Sequence, residues 1–181
     1  MQPCLMPPTG AAAAAAQAHR APTPRFETER LILRAPVLED FPVWEQLFLD
    51  GAFDGGSERA WEEFCVYTAG WLLRGTGLMA VEHRETGETL GFVMLGMEWE
   101  DFEPELGWML AQTTRGKGFA TEAARALRDH GYGVLGQGGF VSYIDATNAA
   151  SRGVAERLGA VCEGTAPGEP DTFVYRHGAA Q

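Results

Sequence analysis

The residues best able to do chemistry by type and spacing are Arg115-Gly116-Lys117-Gly118-Phe119-Ala120. Two glycines let backbone approach a ligand closely. Two cations stand beside them in a chain whose formal net charge is −11. If a helix follows, the N–H groups of its first turn, through Thr121, lack intrahelical acceptors, and the helix dipole adds positive potential. That combination suits a pyrophosphate. A plain strand–turn–helix with glycine at the turn would give the same spacing. Two common phosphate motifs are excluded: no Gly-Lys-Ser/Thr ending is present, and the third glycine of a dinucleotide fingerprint is missing. Downstream, Asn148 and Ser151 open a second candidate helix. Asn148 suits an N-cap, and Ser151 is either a first-turn residue with a local hydrogen bond or a hydroxyl donor. A third group, Glu98, Glu100, Asp101, Glu103 and Glu105, is either a solvated loop end or the source of a base.

These groups need elements to hold them. Glu105–Leu110 reads as a strand running into the glycine loop, and the span from Lys117 to about Tyr132 as a helix. Phe140–Ala146 reads as a strand, and Ala149–Leu158 as a helix closed by Gly159. Upstream, Arg30–Arg34 reads as a strand stopped by Pro36, and Glu39–Leu49 as a helix with Phe41, Trp44, Leu47 and Phe48 on one face. Ser57, a candidate N-cap, begins a helix to about Leu73. Leu78–His83 and Thr89–Glu98 read as strands joined by a turn at Glu85–Glu88. Val161 and Phe173–Tyr175 suggest two last strands. Strands arriving first as an antiparallel run, then a strand–helix–strand–helix stretch, predict an α+β fold. Its sheet is expected to be mixed and mostly antiparallel, with six to seven strands and helices on both faces.

The 181 residues suffice for one domain with a buried core. Residues 1–24 carry five prolines and the run Ala11–Ala16 without sustained apolar periodicity. They read as a disordered leader, partly helical at the alanines, ahead of a domain over 25–181. No basic residue precedes Arg20, which argues against a secretory signal. No segment approaches the roughly 18 apolar residues of a membrane span. Three widely spaced cysteines, Cys4, Cys65 and Cys162, fit neither a disulfide framework nor a zinc site, and suit a reducing cytoplasm. The acidity disfavours nucleic acid as a partner; it serves either solubility or the attraction of cationic substrates such as amines.

Three motifs together resemble a known family. Arg115, Gly118 and Ala120 fill the pattern of motif A in the GNAT superfamily of N-acetyltransferases: Arg or Gln, two residues, Gly, one residue, Gly or Ala. Asn148 through Leu158-Gly159 looks like motif B. Thr28-Glu29-Arg30-Leu31-Ile32-Leu33-Arg34 with Glu39-Asp40, and Glu105-Leu-Gly-Trp108, resemble the RimJ/RimL-like branch, which includes ribosomal-protein N-terminal acetyltransferases. The resemblance covers about residues 26–177. It implies acetyl-coenzyme A as co-substrate, with no metal. The loop from Arg115 to Thr121 would hold its pyrophosphate, the strand Trp108-Met109-Leu110 would pair with its pantetheine arm, and Asn148 would reach that arm. It implies a primary amine as acceptor, either a protein N-terminus or a small molecule, and it allows a homodimer.

A lysine-type amine with a pKa near ~10.4 must lose a proton before it attacks a thioester. Within this resemblance Glu105 is the expected base, with the neighbouring acids as rivals. The family often places a tyrosine seven residues after the motif B asparagine, to protonate the departing thiolate. Here that position is Ala155, which leaves Ser151 or water. The same departure keeps a second reading open, a non-catalytic acetyl-coenzyme A-binding module. Acceptor specificity is expected from the loop Asp50–Gly56, its flanking helices, and Gly164–Asp171. His83 and His177 are expected at the surface.

Overall fold

Apolar alternation along the strands gives the sheet two faces to bury. The computed structural model describes residues 2–51, 53–99, 101–136 and 139–178. Helix α1 (Gly10–Arg20) is followed by strands β1 (Phe26–Glu27) and β2 (Leu31–Arg34), then helices α2 (Phe41–Asp50) and α3 (Gly56–Leu73). Strands β3 (Leu78–His83), β4 (Thr89–Gly96) and β5 (Glu105–Leu110) come next, then helix α4 (Phe119–Leu135) and strand β6 (Phe140–Asp145). Helix α5 (Ala149–Arg157) and strands β7 (Val161–Ala166) and β8 (Glu169–His177) close the chain. The strands form one sheet in the order β1-β2-β3-β4-β5-β6-β8-β7. Every neighbouring pair is antiparallel except β5 and β6, which run parallel.

The mixed, mostly antiparallel α+β sheet is the one expected, with one strand more. The addition is β1, two residues long and too short to show any alternation. Period-two patterning sorts the side chains. Met79, Val81, Val93 and Leu95 pack with Phe119, Ala123, Ala124 and Leu127 of α4. Leu78, Ala80 and Phe92 face the other way, against Phe41, Trp44 and Phe48 of α2 and Phe64 of α3. Two indoles pin that second layer: Trp44 Nε1 donates to the Ala60 carbonyl at 2.8 Å, and Trp71 Nε1 to that of Leu78 at 2.7 Å.

Several local expectations shift. Helix α3 starts one residue early, and Gly55, not Ser57, holds its N-cap place. Helix α4 starts at Phe119, because Gly118 takes the N-cap with φ +83° and breaks the helical path before it. In the leader, residues 10–20 form helix α1, which buries no residue; Leu5 packs against the α2–α3 layer. His177, expected at the surface, is 1% exposed, because β8 carries it inward beside Phe140.

Candidate active site

Strands β5 and β6 part almost as soon as they meet. Among the described residues their parallel ladder holds one pair, Glu105 with Val141, beside a bond from the Val141 N–H to the Pro104 carbonyl at 3.0 Å. Ser142 Oγ then takes the place of a backbone donor, reaching the Leu106 carbonyl at 2.5 Å. His177 Nε2 lies 2.9 Å from the same Oγ. Beyond this point β5 is paired on its other edge only, through six pairs with β4 from Gly96–Glu105 to Gly91–Leu110. The Ala111 N–H donates to the Leu90 carbonyl, on the β4 side. Strand alternation therefore turns the backbone groups of Met109 toward β4, and those of Trp108 and Leu110 toward the gap. An open strand edge of this kind accepts an extended amide-bearing chain.

The gap widens into a cleft of about 1080 Å³. One end is lined by Arg115, Gly116, Gly118, Phe119, Ala120 and Thr121. The first intrahelical bond of α4 runs from the Glu122 N–H to the Gly118 carbonyl at 3.1 Å. The N–H groups of Phe119, Ala120 and Thr121 are therefore left without helical acceptors. Gly116, at φ +76°, and Gly118 give the loop its turn. Arg157 of α5 also lines this end and donates from Nε to Thr121 Oγ1 at 3.2 Å. Backbone donors, a helix N-terminus and two guanidinium groups make this end receptive to anions. Lys117 does not line the cleft: it borders a separate hollow of about 250 Å³ with His83 and Thr86.

The other end differs in kind. Trp44, Phe48, Phe53, Tyr67, Phe92 and Met94 line it, and Asp50, Glu63, Glu98 and Glu105 supply acids. Glu63 is tied to Arg59 at 2.7 Å. Tyr67 Oη donates to Glu98 Oε1 at 2.5 Å, and burial first, then that bond, raises the phenol well above its usual range. Glu105 Oε1 accepts from the Tyr143 N–H at 3.4 Å. Burial, joined by the charges of Glu98 and Asp101, pushes Glu105 up to about 8 against the pull of that N–H. Burial chiefly raises Glu98 as well. The remaining rivals are otherwise engaged. Glu103 is held by Arg176 through two bonds of 2.6 and 2.8 Å, and Asp101 Oδ2 accepts the Glu98 N–H at 2.6 Å. Glu100 lies outside the described residues.

Residues 30–161 match the family described as the acetyltransferase (GNAT) domain. The chain belongs to the GNAT acetyltransferase family. It is 30% identical over 130 residues to the L-2,4-diaminobutyric acid acetyltransferase of Oceanobacillus iheyensis, covering 70% of this chain and 65% of that protein. The chain spans between half and two thirds of the length of the curated relatives it matches. An acetyltransferase from Agrobacterium tumefaciens superposes with a TM-score of 0.77 at 35% identity, covering 84% of this chain and 93% of that one. The fold is also that of RimL, a ribosomal L7/L12 alpha-N-protein acetyltransferase solved in complex with coenzyme A. That comparison has a TM-score of 0.67 at 21% identity and covers 86% of this chain and 98% of that one.

In this GNAT domain the cleft brings together Glu105, Met109, Leu110, Arg115, Gly116, Gly118, Phe119, Ala120, Thr121, Asn148 and Ser151, but not Lys117. Met109 lines the cleft by its side chain, since its backbone groups serve the β4 ladder. Asn148 caps α5, its Oδ1 accepting from the Ser151 N–H at 3.0 Å, which leaves its amide nitrogen outside the cap. Ala155 is fully buried against Ile144 and Tyr175, so its position presents nothing to the cleft. Of the expected specificity segments, Asp50, Gly51 and Phe53 at the loop and Trp44, Leu47, Phe48, Glu63 and Tyr67 of its flanking helices line the cleft, and no described residue of 164–171 does. Sequence reasoning missed Ser142, Arg157 and the bond between Tyr67 and Glu98. Only Arg157, inside motif B, carried a signal in its spacing; Ser142 depends on where β5 and β6 separate, and the Tyr67–Glu98 bond on where α3 meets the segment after β4.

Proposed function

We propose that the protein transfers an acetyl group from acetyl-coenzyme A to a cationic primary amine that carries an apolar body. One observation carries the reading: a single cleft joins an anion-receptive loop and an open strand edge to a half-buried acid of raised pKa. The coenzyme, when bound, supplies an activated acetyl thioester. The loop from Arg115 to Thr121, without the Lys117 side chain, receives its phosphates together with Arg157. Trp108 and Leu110 offer backbone groups to its pantetheine arm, and Asn148 its free amide nitrogen.

Glu105 in its carboxylate form takes a proton from the incoming ammonium group, directly or through water. The raised pKa keeps free Glu105 mostly protonated at neutral pH, and an ammonium beside it favours ionisation. The Leu110 N–H donates to the negative charge that develops on the carbonyl oxygen. Ser151 relays to the departing sulfur the proton that the attacking nitrogen sheds as the amide forms. Aromatic walls and the carboxyls of Glu98 and Glu105 at the acceptor end favour an amine with apolar substance over a highly polar one. Residues 25–181 form the catalytic unit and 1–24 an accessory leader, in a cytoplasmic protein.

Thiol release in the presence of acetyl-coenzyme A tests the reading. The amines would include 2,4-diaminobutyrate, polyamines, aminoglycosides and N-terminal peptides. Coenzyme binding is followed by thermal shift, since a ligand of the native state raises its stability. Release that depends on one amine class supports the enzyme; no coenzyme binding would refute it. The buried Ala155 favours one second reading, a coenzyme-binding module without turnover. Binding without release for any amine would select it.

A further inference from the structure

We propose that Arg30 is a positioning residue for the coenzyme's phosphates, acting through Glu122 and the Lys117–Gly118 peptide; this rests on the reading of the glycine loop as a pyrophosphate site. The problem it solves is electrostatic. Glu122 lies in the first turn of α4. A carboxylate there is attracted to the same helix terminus that a pyrophosphate must occupy, and its charge would repel the ligand.

The turn just before strand β2 supplies the donors that neutralise this carboxylate. The Arg30 Nε donates to Glu122 Oε2 at 2.8 Å and Nη2 lies 2.6 Å from the same oxygen. The Arg30 backbone N–H and the Thr28 hydroxyl donate to Oε1 at 3.0 and 2.6 Å. Burial alone would raise the Glu122 carboxyl, but these donors outweigh it and keep the group ionised and below its ordinary range. The charge at the helix start is therefore cancelled by a cation that itself lies outside the cleft lining.

The same guanidinium also sets the loop. Its Nη1 donates to the Lys117 carbonyl at 2.9 Å. In a trans peptide the C=O and the following N–H point in opposite directions. Holding the Lys117 carbonyl toward β2 thus turns the Gly118 N–H away from Arg30, at a residue that lines the cleft. Arg30 also covers the Phe119 ring, 4.4 Å from its centroid, and a Cβ on Gly118 would meet Nη2 at 3.4 Å. A lysine could supply the charge but not the fork that reaches both Glu122 and Lys117.

The test uses the full chain and coenzyme A itself. Dissociation constants by titration calorimetry, and melting temperatures, are measured for the parent, Arg30→Met, Arg30→Lys, Glu122→Gln and the double variant Arg30→Met/Glu122→Gln. Arg30→Met is expected to weaken binding about tenfold, with the loss shrinking at high salt. Arg30→Lys should fall between parent and Arg30→Met. Glu122→Gln in the Arg30→Met background should recover part of the lost affinity, because the repelling charge is gone while the bond to the Lys117 carbonyl stays missing. A merely structural brace predicts the reverse: the double variant would bind no better than Arg30→Met and melt no higher. That result, or unchanged affinity in both Arg30 variants while the parent binds, would overturn the proposal. Failure of the parent to bind coenzyme A would overturn the loop reading beneath it.

Discussion

The two ends of the cleft are built from different materials. The loop end is mostly backbone: free N–H groups of α4, a turn through two glycines, and the unpaired edge of β5. The acceptor end is side chains: Glu105, Glu98, Tyr67 and aromatic walls from α2, α3 and β4. Backbone donors depend on φ and ψ and so tolerate substitution of most side chains around them. Side-chain donors depend on rotamer, burial and neighbouring charge. A fold can therefore keep one coenzyme while its acceptor end is rebuilt, since function resides in the site more than in the scaffold.

The largest effect that would sharpen this contrast is at Glu105. Glu105→Gln is expected to lower kcat by about 10² to 10⁴, the usual contribution of a general base, with coenzyme affinity within about threefold of the parent. In the parent, kcat/KM should climb with pH toward an apparent pKa near 8, the value to which burial and the charges of Glu98 and Asp101 raise the carboxyl. The variant should lose that limb. Stability should move the opposite way. A carboxyl raised in the folded state holds its proton more tightly there, so the parent loses stability as pH rises from the ordinary carboxylate range to about 8. Glu105→Gln should thus melt higher than the parent at pH 9 and close to it at pH 4. A fully active variant, or one that melts lower at pH 9, would remove Glu105 from this role.

Next in size is a change that touches neither end. Asp40 is 2% exposed and accepts from Arg34 at 2.7 and 2.9 Å, from Thr89 at 2.8 Å and from the Val37 N–H at 2.9 Å. Burial pushes its carboxyl up, but Arg34, Val37 and Thr89 prevail and hold it below its ordinary range. Its stabilising contribution is thus present above the unfolded-state pKa and is lost as pH falls through the folded one. Asp40→Asn should cost about 3 kcal/mol at pH 7 and less in acid, measured by urea unfolding. KM for both substrates should stay within about twofold at a temperature where the variant is folded. A large KM change would mean that the frame beneath α2 sets the cleft directly.

Gly118→Ala probes the backbone end itself. Its φ of +83° is a region that L side chains enter at a cost of about 1–2 kcal/mol. Coenzyme affinity should fall about tenfold, with kcat at saturation little changed. A fall in kcat alone would contradict a binding role for the loop.

Sequence reasoning recovered the backbone end better than the side-chain end, for a physical reason. Gly116, Gly118 and a helix start are local features, so spacing alone reveals them. Glu105 became a candidate through its place at the strand entry, but its raised pKa arises from burial and from Glu98 and Asp101 across a loop. The Tyr67–Glu98 pair joins residues 31 apart in sequence, and Ser142 meets Leu106 across 36. Periodicity carries no information about such pairs. Lys117 shows the opposite failure: its charge and position suited an anion, yet Gly118 turns the chain so that its side chain leaves the cleft. His177 was assigned to the surface from its nearness to the C-terminus, but the register of β8 against β6 pairs it with Phe140 inside the core.

Ser151 should give the smallest effect, and its size discriminates between chemical roles. It lines the cleft, and its backbone N–H is used by the Asn148 cap. The cap survives Ser151→Ala, because it uses only that N–H, so α5 should be undisturbed. A thiol has an ordinary pKa of about 8.5, so a thiolate is a good leaving group near neutral pH and needs little help from an acid. Ser151→Ala should therefore lower kcat less than about tenfold at pH 7 and progressively less above pH 8.5, where the free thiolate is the stable form. Stopped-flow thiol release across that range measures it. A loss of the size expected for Glu105→Gln would make Ser151 a principal catalytic group, and the acceptor end would then no longer hold the main side-chain chemistry. No change at any pH would assign the proton to water and leave α5 only the task of holding Asn148 and Arg157 at the cleft wall.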